Sequence, residues 1–147
     1  TYHGPGQIVG YPILPLGHHG KDVHAYLRRL EGVLIAALGD YGIAAERREG
    51  LTGVWTPEGK IVSIGVAVSR WVTWHGFALN VDPNLEHFRL IHPCGLVGVK
   101  IASMKSLLGA APLLTEVEGV VLKRFCAEFG FDRTRLVREM PKGGGQA

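Results

Sequence analysis

The residue best suited to covalent chemistry in this 147-residue chain is Cys94, which lies in the segment Ile-His-Pro-Cys-Gly-Leu. Pro93 fixes a backbone angle and Gly95 permits a sharp turn, so we expect the thiol on a turn. Only the thiolate is a good nucleophile, and an ordinary thiol with a pKa of about 8.5 is mostly protonated at neutral pH. The local sequence leaves two interpretations open: a functional nucleophile, or the buried inert cysteine that is common in proteins.

A cation or base near the thiol would favour the thiolate. His92 stands two positions before Cys94 and would share its face if the segment is extended. His3, in a Gly-rich turn, and His75, beside a glycine in an apolar strand, are more distant candidates. The ordinary interpretation, without a catalytic role, is that His3 is exposed to solvent and that His75 is half-buried with its hydrogen bonds satisfied. Lys60 stands at the start of a strand, where a lysine is normally a solvated surface charge.

Other chemistry is poorly supported by the sequence. Seven histidines and two cysteines form no CxxC or HExxH motif, so we predict no metal site. Cys126 is expected to pack within the last helix, with both cysteines as thiols in a reducing cytoplasm. Trp71 and Trp74 are expected in the core. The arginines of two adjacent pairs are expected to be solvated: Arg28, Arg29, Arg47 and Arg48.

The first half of the chain predicts a strand, a helix and a further short strand. Residues 7–16 form the first strand, which Pro12 and Pro15 restrict to an edge. A loop at 17–20 precedes a helix that Asp22 caps and that runs to about Leu38, with apolar residues three and four apart. A glycine at position 39 or 42 ends this helix. Residues 43–48 then predict the short strand.

The second half predicts a hairpin, a third long strand and two helices. Strands at 53–56 and 60–69 flank a turn at 57–59, and a further strand covers 71–81. A short helix is expected from about Ser103. Thr115 and Glu118 form a predicted capping box for a helix to about Phe129, which Gly130 ends. These elements predict an α/β or α+β fold with a mixed or largely antiparallel sheet.

The strand at 60–69 has one face of small residues. Simple alternation puts four β-branched residues on one face, at positions 62, 64, 66 and 68. The other face then carries Ser63, Gly65 and Ala67, together with Ile61. Small side chains allow a helix, a strand or a ligand to approach closely.

Composition excludes several classes of protein. Apolar residues make up 46% and charged residues 20%, which excludes a disordered chain, and the longest uncharged stretch is too rich in Gly and Pro for a spanning helix. The formal net charge of +3 comes entirely from residues 123–147. This basic excess is too small to indicate a nucleic-acid-binding surface. We predict one domain over residues 1–139 and a flexible tail over residues 140–147.

Four segments in this order resemble the octanoyltransferases of lipoate biosynthesis, the lipoate-protein ligase B family. They are Thr-Tyr-His-Gly-Pro-Gly-Gln at 1–7, Gly-Lys-Ile-Val-Ser-Ile-Gly at 59–65, Trp-His-Gly-Phe-Ala-Leu-Asn-Val at 74–81, and Pro-Cys-Gly at 93–95. In the family, Arg-Gly-Gly precedes the first segment by a short spacing. We therefore expect that the domain lacks its N-terminal part here.

The resemblance implies a biotin/lipoate protein ligase-like fold and transfer of an octanoyl group from acyl carrier protein to a lipoyl-domain lysine. It implies that Cys94 forms an acyl thioester and that Lys60 favours the thiolate, with no metal or other cofactor and no ATP. The acceptors would be lipoyl domains of 2-oxoacid dehydrogenases and the glycine cleavage H protein, and the enzyme a cytoplasmic monomer without nucleic-acid or membrane partners. The residues implied to line the acyl site are Thr1, Tyr2, His3, Ser63, Ile64, Gly65, Gly76, Phe77 and Ala78.

On this resemblance, the small-residue face makes room for the acyl chain, and Phe77 forms a wall. Three alternatives stay open. An ATP-dependent lipoate or biotin ligase of the same fold would activate the acid as an adenylate and would not need Cys94. A carrier-to-carrier amidotransferase would use the cysteine with a different donor. A non-catalytic module would bind an acyl group or a lipoyl domain and would be insensitive to thiol alkylation.

Overall fold

The computed structural model describes residues 2–18, 20–90, 98–135 and 137. Its sheet has five strands: β1 (Gln7–Gly10), β2 (Glu46–Arg48), β3 (Leu51–Thr56), β4 (Gly59–Ser69) and β5 (Val72–Asn80). Three α-helices accompany it: α1 (Val23–Gly39), α2 (Met104–Leu108) and α3 (Leu114–Phe129). Short 3-10 helices cover Leu16–His18 and Leu85–Leu90.

The strands follow the order β1-β5-β4-β3-β2, and each paired neighbour is antiparallel. The prediction of a largely antiparallel sheet with helices is confirmed. The first strand is shorter than predicted, since it ends at Gly10, and Pro15 makes only an isolated bridge to Val72. The predicted loop at 17–20 is partly wrong, because its first residues belong to a 3-10 helix.

The helices cover one face of the sheet and bury the main core against it. Leu30 and Leu34 of α1, Val121 of α3, and Val62 and Leu79 of the sheet belong to this apolar cluster. Asp22 caps α1 as predicted, because its Oδ1 accepts a hydrogen bond from the backbone N–H of Ala25. None of the described helices is long and apolar enough to cross a membrane.

The predicted capping box of the last helix is wrong. The extended residue before α3 is Leu113, so Thr115 already lies within the first turn and cannot cap it. Pro112 precedes Leu113, and its fixed φ sets the direction in which the chain enters the helix. Gly130 ends α3 in the left-handed conformation, as predicted, with φ of +77°.

Both adjacent arginine pairs are solvated as predicted, with 35% to 45% of each side chain exposed, and each arginine also has a partner within the fold. Arg28 and Arg47 both contact the carboxylate of Glu31, which is completely buried on α1. Arg29 pairs with Glu128 of α3, and Arg48 lies over the ring of Trp55 at 4.6 Å. A buried carboxylate needs such partners, because an unpaired charge is costly to remove from water.

Trp71 and Trp74 lie on the surface rather than in the core, with exposed fractions of 44% and 52%. Trp71 follows Arg70 in the tight turn between β4 and β5, and both have positive φ, at +62° and +50°. This conformation suits the twist of a two-residue hairpin turn. The turn is attached to the chain that precedes α1, because the carbonyl of Trp71 accepts a hydrogen bond from the backbone N–H of Leu16 at 2.7 Å.

Candidate active site

A β-bulge brings Lys60 onto the small-residue face of the sheet. Trp55 pairs with Lys60 and Val54 pairs with Val62, so Ile61 is an extra residue in β4. Such an insertion shifts the alternation of the strand by one position. Ile61 consequently packs in the core with Val62, and the prediction that it shares the small-residue face is wrong.

Lys60 is buried, with 2% of its surface exposed, although lysine usually remains in solvent. Its Nζ lies 5.2 Å from the centroid of the Trp55 ring. Its backbone N–H donates to the carbonyl of Lys100 at 2.8 Å, and its own carbonyl accepts from Ala102 at 2.9 Å. These bonds fix the backbone of Lys60 from the side opposite β3.

A chain of hydrogen bonds ties the motif segments together at this end of the sheet. Gln7 Nε2 donates to Asn80 Oδ1 at 2.9 Å, and Asn80 Nδ2 donates to the carbonyl of Ala102 at 3.1 Å. Ala102 in turn bonds to Lys60. Three segments distant in sequence therefore meet at Lys60, and the sequence analysis missed Asn80 as the buried side chain that links them.

The first motif folds as a turn against the end of β5. The carbonyl of Gly6 accepts hydrogen bonds from the backbone N–H groups of Val81 and Asp82, at 3.0 and 2.9 Å. Tyr2 is half-buried, and its hydroxyl lies 2.7 Å from Nδ1 of His87. His3 is exposed. Thr1 lies outside the described residues.

Cys94 and His92 also lie outside the described residues. The segment that carries them, residues 91–97, is bounded by Leu90 and Gly98. Two residues after Gly98 comes Lys100, the partner of the Lys60 backbone. No Lys60–Cys94 distance follows from the described residues, so their pairing stays a prediction.

His75 is separated from Lys60 along the sheet. Val66 pairs with His75, and six positions of β4 separate Val66 from Lys60, which corresponds to about 20 Å at roughly 3.3 Å per residue. The expectation of a half-buried ring is wrong, since His75 is exposed with a φ of +60°. Its ring lies against that of Tyr11, with a centroid distance of 6.0 Å.

The small-residue face is open at Gly65, beyond Lys60. Ser63 pairs with Ala78 and Gly65 with Gly76, so these four residues share one surface. A Cβ added at Gly65 would meet nothing within 4 Å, and Gly65 is exposed. Gly76 has a structural reason to be glycine, because a Cβ there would collide with the carbonyl of Gly10 and the ring of Pro12.

The prediction that Phe77 forms a wall of this face is wrong. Phe77 pairs with Ile64, and both belong to the core cluster under the helices. Gly10 lies directly against the Phe77 ring, where a Cβ would collide with it. The side chains of Ile64 and Phe77 therefore support the sheet from the opposite face. Any contribution they make to an acyl site would come from their backbone.

Among the described ranges, no group of three or more His, Cys, Asp or Glu side chains could hold a metal ion. Cys126 is a half-buried free thiol on α3, within the helical layer.

A model of the lipoyl protein ligase A/B catalytic domain matches residues 1–126. The chain belongs to this family. The octanoyltransferase of Geobacter metallireducens is 53% identical over 125 residues, which cover 85% of this chain and 59% of that protein. The octanoyltransferase of Geotalea uraniireducens is 50% identical over 145 residues, covering 99% of this chain and 67% of that protein. The resemblance to octanoyltransferases is thus confirmed.

Solved structures of low sequence identity share the fold. The apo biotin protein ligase of Aquifex aeolicus superposes with a TM-score of 0.67 at 17% identity, covering 85% of this chain and 53% of that one. An ATP-bound lipoate-protein ligase A superposes with a TM-score of 0.62 at 12% identity, and the match covers 90% of this chain and 55% of that one. The biotin/lipoate protein ligase-like fold is confirmed. The chain spans about three fifths of the length of the first relative, 59%.

Proposed function

We propose that this chain catalyses octanoyl transfer from acyl carrier protein to a lipoyl-domain lysine, through a thioester on Cys94. The observation that carries the proposal is Lys60, a buried lysine at the junction of three motif segments and beside a small-residue face that is open at Gly65. The family membership and the names of relatives at 50% and 53% identity support the same reaction.

In the first step, the Cys94 thiolate attacks the thioester carbonyl carbon of the donor. The Lys60 ammonium favours this thiolate by Coulomb attraction. The bond between the carbonyl carbon and the donor sulfur breaks, and the leaving thiolate takes a proton from Lys60. The products are an octanoyl-Cys94 thioester, a free carrier thiol and a neutral Lys60 amine.

In the second step, Lys60 accepts a proton from the ammonium of the acceptor lysine. The resulting amine attacks the Cys94 thioester, an amide bond forms and the Cys94 thiolate leaves. The second amine proton passes to solvent, and the restored Lys60 ammonium again faces a thiolate. An amide is more stable than a thioester, so the balance requires no ATP.

The acyl chain would lie along the face formed by Ser63, Gly65, Gly76 and Ala78. These residues lie beyond Lys60 on the same surface, and the space above Gly65 is open. Backbone N–H groups near Cys94 would stabilise the oxyanion of each tetrahedral intermediate. Those of Phe77 and Ala78, which the sequence also suggests, are occupied by the sheet, because β5 pairs there with both β1 and β4. Tyr2 and His3 would close the end of this site that lies against β5, and Thr1 stays a proposed acyl-site residue outside the described part of the chain.

The test is the intact mass of the protein after incubation with octanoyl-acyl carrier protein in the absence of ATP. We expect a hydroxylamine-labile octanoyl adduct that is lost in Cys94→Ser. Cys126→Ser is the matched control and should retain the adduct, because Cys126 lies within the helical layer. The assay uses this chain and the longest form that its gene encodes.

The absence of an adduct on both forms would overturn the covalent mechanism. Octanoate and ATP are then supplied in place of the acylated carrier. Acceptor modification under these conditions, insensitive to alkylation of Cys94, would identify an ATP-dependent ligase. Binding of a lipoyl domain without modification would identify a non-catalytic module.

A further inference from the structure

The buried lysine lies in a seat that strand β3 forms with two residues, Gly53 and Trp55. Trp55 is the direct cross-strand partner of Lys60, and the Lys60 Nζ lies 5.2 Å from its ring centroid. Gly53 leaves the room for the lysine stem, because a Cβ there would lie 2.6 Å from Lys60 Cε and 3.2 Å from Nζ.

We propose that Trp55 is a positioning residue that holds the Lys60 ammonium in the orientation required for transfer. This inference rests on the proposed function and adds a residue to its machinery. The face of an indole ring attracts a cation, and the attraction is stronger where water is excluded. Trp55 is itself 2% exposed, so the contact with the ammonium is shielded from solvent.

The ring of Trp55 is held in place by packing rather than by its polar atom. Its Nε1 is buried and has no hydrogen-bond partner in the described structure. The guanidinium of Arg48 lies 4.6 Å from the ring, and Arg48 also donates to the carbonyl of Thr56 at 3.3 Å. Phe at position 55 would therefore retain an aromatic face without breaking a described hydrogen bond.

The backbone of the seat is anchored to the buried carboxylate of α1. Gly53 has a φ of +126°, and its N–H donates to Glu31 Oε1 at 3.0 Å. Glu31 Oε2 receives Arg28 at 2.8 Å. Burying such a pair is weak evidence for stability, since apolar replacements are often as stable. The function that we infer for this cluster is to hold β3 in the conformation that places Gly53 and Trp55 against Lys60.

The experiment compares Trp55→Leu and Trp55→Phe, alone and combined with Lys60→Met, in the Cys126→Ser background. Trp71→Leu is the matched control, because this exposed tryptophan lies in the turn between β4 and β5, outside the small-residue face. The measured quantities are the single-turnover rate of transfer from octanoyl-Cys94 to a lipoyl domain and the alkylation rate of Cys94. The unfolding midpoint of each variant is measured in parallel.

We expect Trp55→Leu to slow transfer by about tenfold to a hundredfold, the usual cost of a displaced catalytic group. Trp55→Phe should recover most of the rate, and Trp71→Leu should change it by less than about twofold. With Lys60→Met present, Trp55→Leu should add almost nothing, because residues that act through each other are not additive. If Trp55 had a purely structural role, the losses of transfer rate in Trp55→Leu and Lys60→Met would instead be additive, and Trp55→Phe would not recover the rate.

Two outcomes separate this inference from the proposed function. If Lys60→Met transfers at the full rate, the proposed role of Lys60 is wrong. If Lys60→Met abolishes transfer while Trp55→Leu transfers at the full rate, the positioning role of Trp55 is wrong and the proposed function stands. Should Trp55→Leu fail to fold, Trp55→Met replaces it in the same comparison, because methionine is a large, flexible apolar side chain that fills irregular space. A full transfer rate in Trp55→Met would then overturn the inference.

Discussion

At the residue scale, one extra residue in β4 decides which side chain faces the candidate site. Strict alternation from Val62 would assign Lys60 to the helix-covered face with Val62 and Ile64. The bulge at Ile61 instead turns Lys60 toward Trp55 and the small-residue face. The orientation of the Lys60 side chain thus depends on how β4 pairs with β3. The sequence of β4 alone does not determine that pairing.

Replacing Lys60 with arginine separates its two proposed roles. The guanidinium would retain the positive charge that is proposed to favour the Cys94 thiolate, but it does not deprotonate in proteins. We expect Lys60→Arg to retain part of the Cys94 acylation and to lose transfer to the lipoyl domain. Intact mass reports the first step, and the octanoylated lipoyl domain reports the second. Equal and full transfer rates would contradict the proton-shuttle role.

A side chain at Gly65 should change the preferred acyl length without disrupting the fold. A Cβ at this position meets no atom within 4 Å, and valine suits a strand. Each buried methylene contributes about 0.8 kcal/mol, or roughly fourfold in relative rate. We therefore expect Gly65→Val to favour shorter acyl donors. Competition between hexanoyl and octanoyl donors measures the preference.

Ala67→Val is the graded control for Gly65→Val. Ala67 pairs with Trp74, two positions farther from Lys60 on the same face. The shift in acyl preference should be smaller there. An unchanged preference in Gly65→Val, with a normal unfolding midpoint, would contradict the position of the acyl chain.

At the element scale, α1 and α3 are joined by an exposed ion pair between Asp40 and Arg124. The hydrogen bond from Arg124 lowers the pKa of Asp40 below its ordinary value of 3.8. A carboxyl group whose pKa is lowered by folding stabilises the fold above its unfolded-state pKa. This contribution is lost as the pH falls from 3.8 through the lowered value.

Arg124→Met should therefore reduce stability in a pH-dependent way. At pH 7 we expect a lower denaturation midpoint than in the unmodified chain, because Asp40 loses its partner. The difference should shrink when the pH falls below 3.8, since Asp40 is then protonated increasingly in both proteins. Urea denaturation at pH 7 and pH 3 measures it. Lys123→Met is the neighbouring control, and an equal difference at both pH values would exclude this linkage.

At the scale of the whole molecule, some of the excess basic residues near the C-terminus form ion pairs within the fold and others do not. Arg124 pairs with Asp40, whereas Lys123, Arg133 and Arg135 are exposed. The proposed protein substrates are typically acidic. Exposed cations would accelerate their encounter with the enzyme, and salt would screen that attraction over about 8 Å at physiological ionic strength.

Salt should consequently slow the reaction with protein substrates more than the reaction with a small donor. We expect kcat/KM for octanoyl-acyl carrier protein to fall as NaCl rises from 0.05 to 0.5 M, roughly severalfold. An uncharged small octanoyl thioester is the control, and its rate of Cys94 acylation should barely change. Equal salt dependence for both donors would contradict electrostatic steering.

Much of the fold and the candidate chemistry follows from the sequence. Alternating and helical patterns predict β4, β5, α1 and the end of α3, because each buries one face and follows its own period. Local chemistry also predicts the Asp22 cap, the Ser103 start of α2 and the Gly130 stop. The motifs around Lys60 and Cys94 indicate the family, which the comparisons then confirm.

Other features depend on contacts between distant segments. The bulge at Ile61 arises from the register between β3 and β4, and it exchanges the faces of Ile61 and Lys60. Phe77 lies in the core, and Trp74 on the surface, because of the face that the helices cover. Strand alternation predicts that such residues differ in exposure, but a period of two does not say which face will be buried. Three-dimensional packing makes that choice, and it also gives Lys60 its burial beside Trp55.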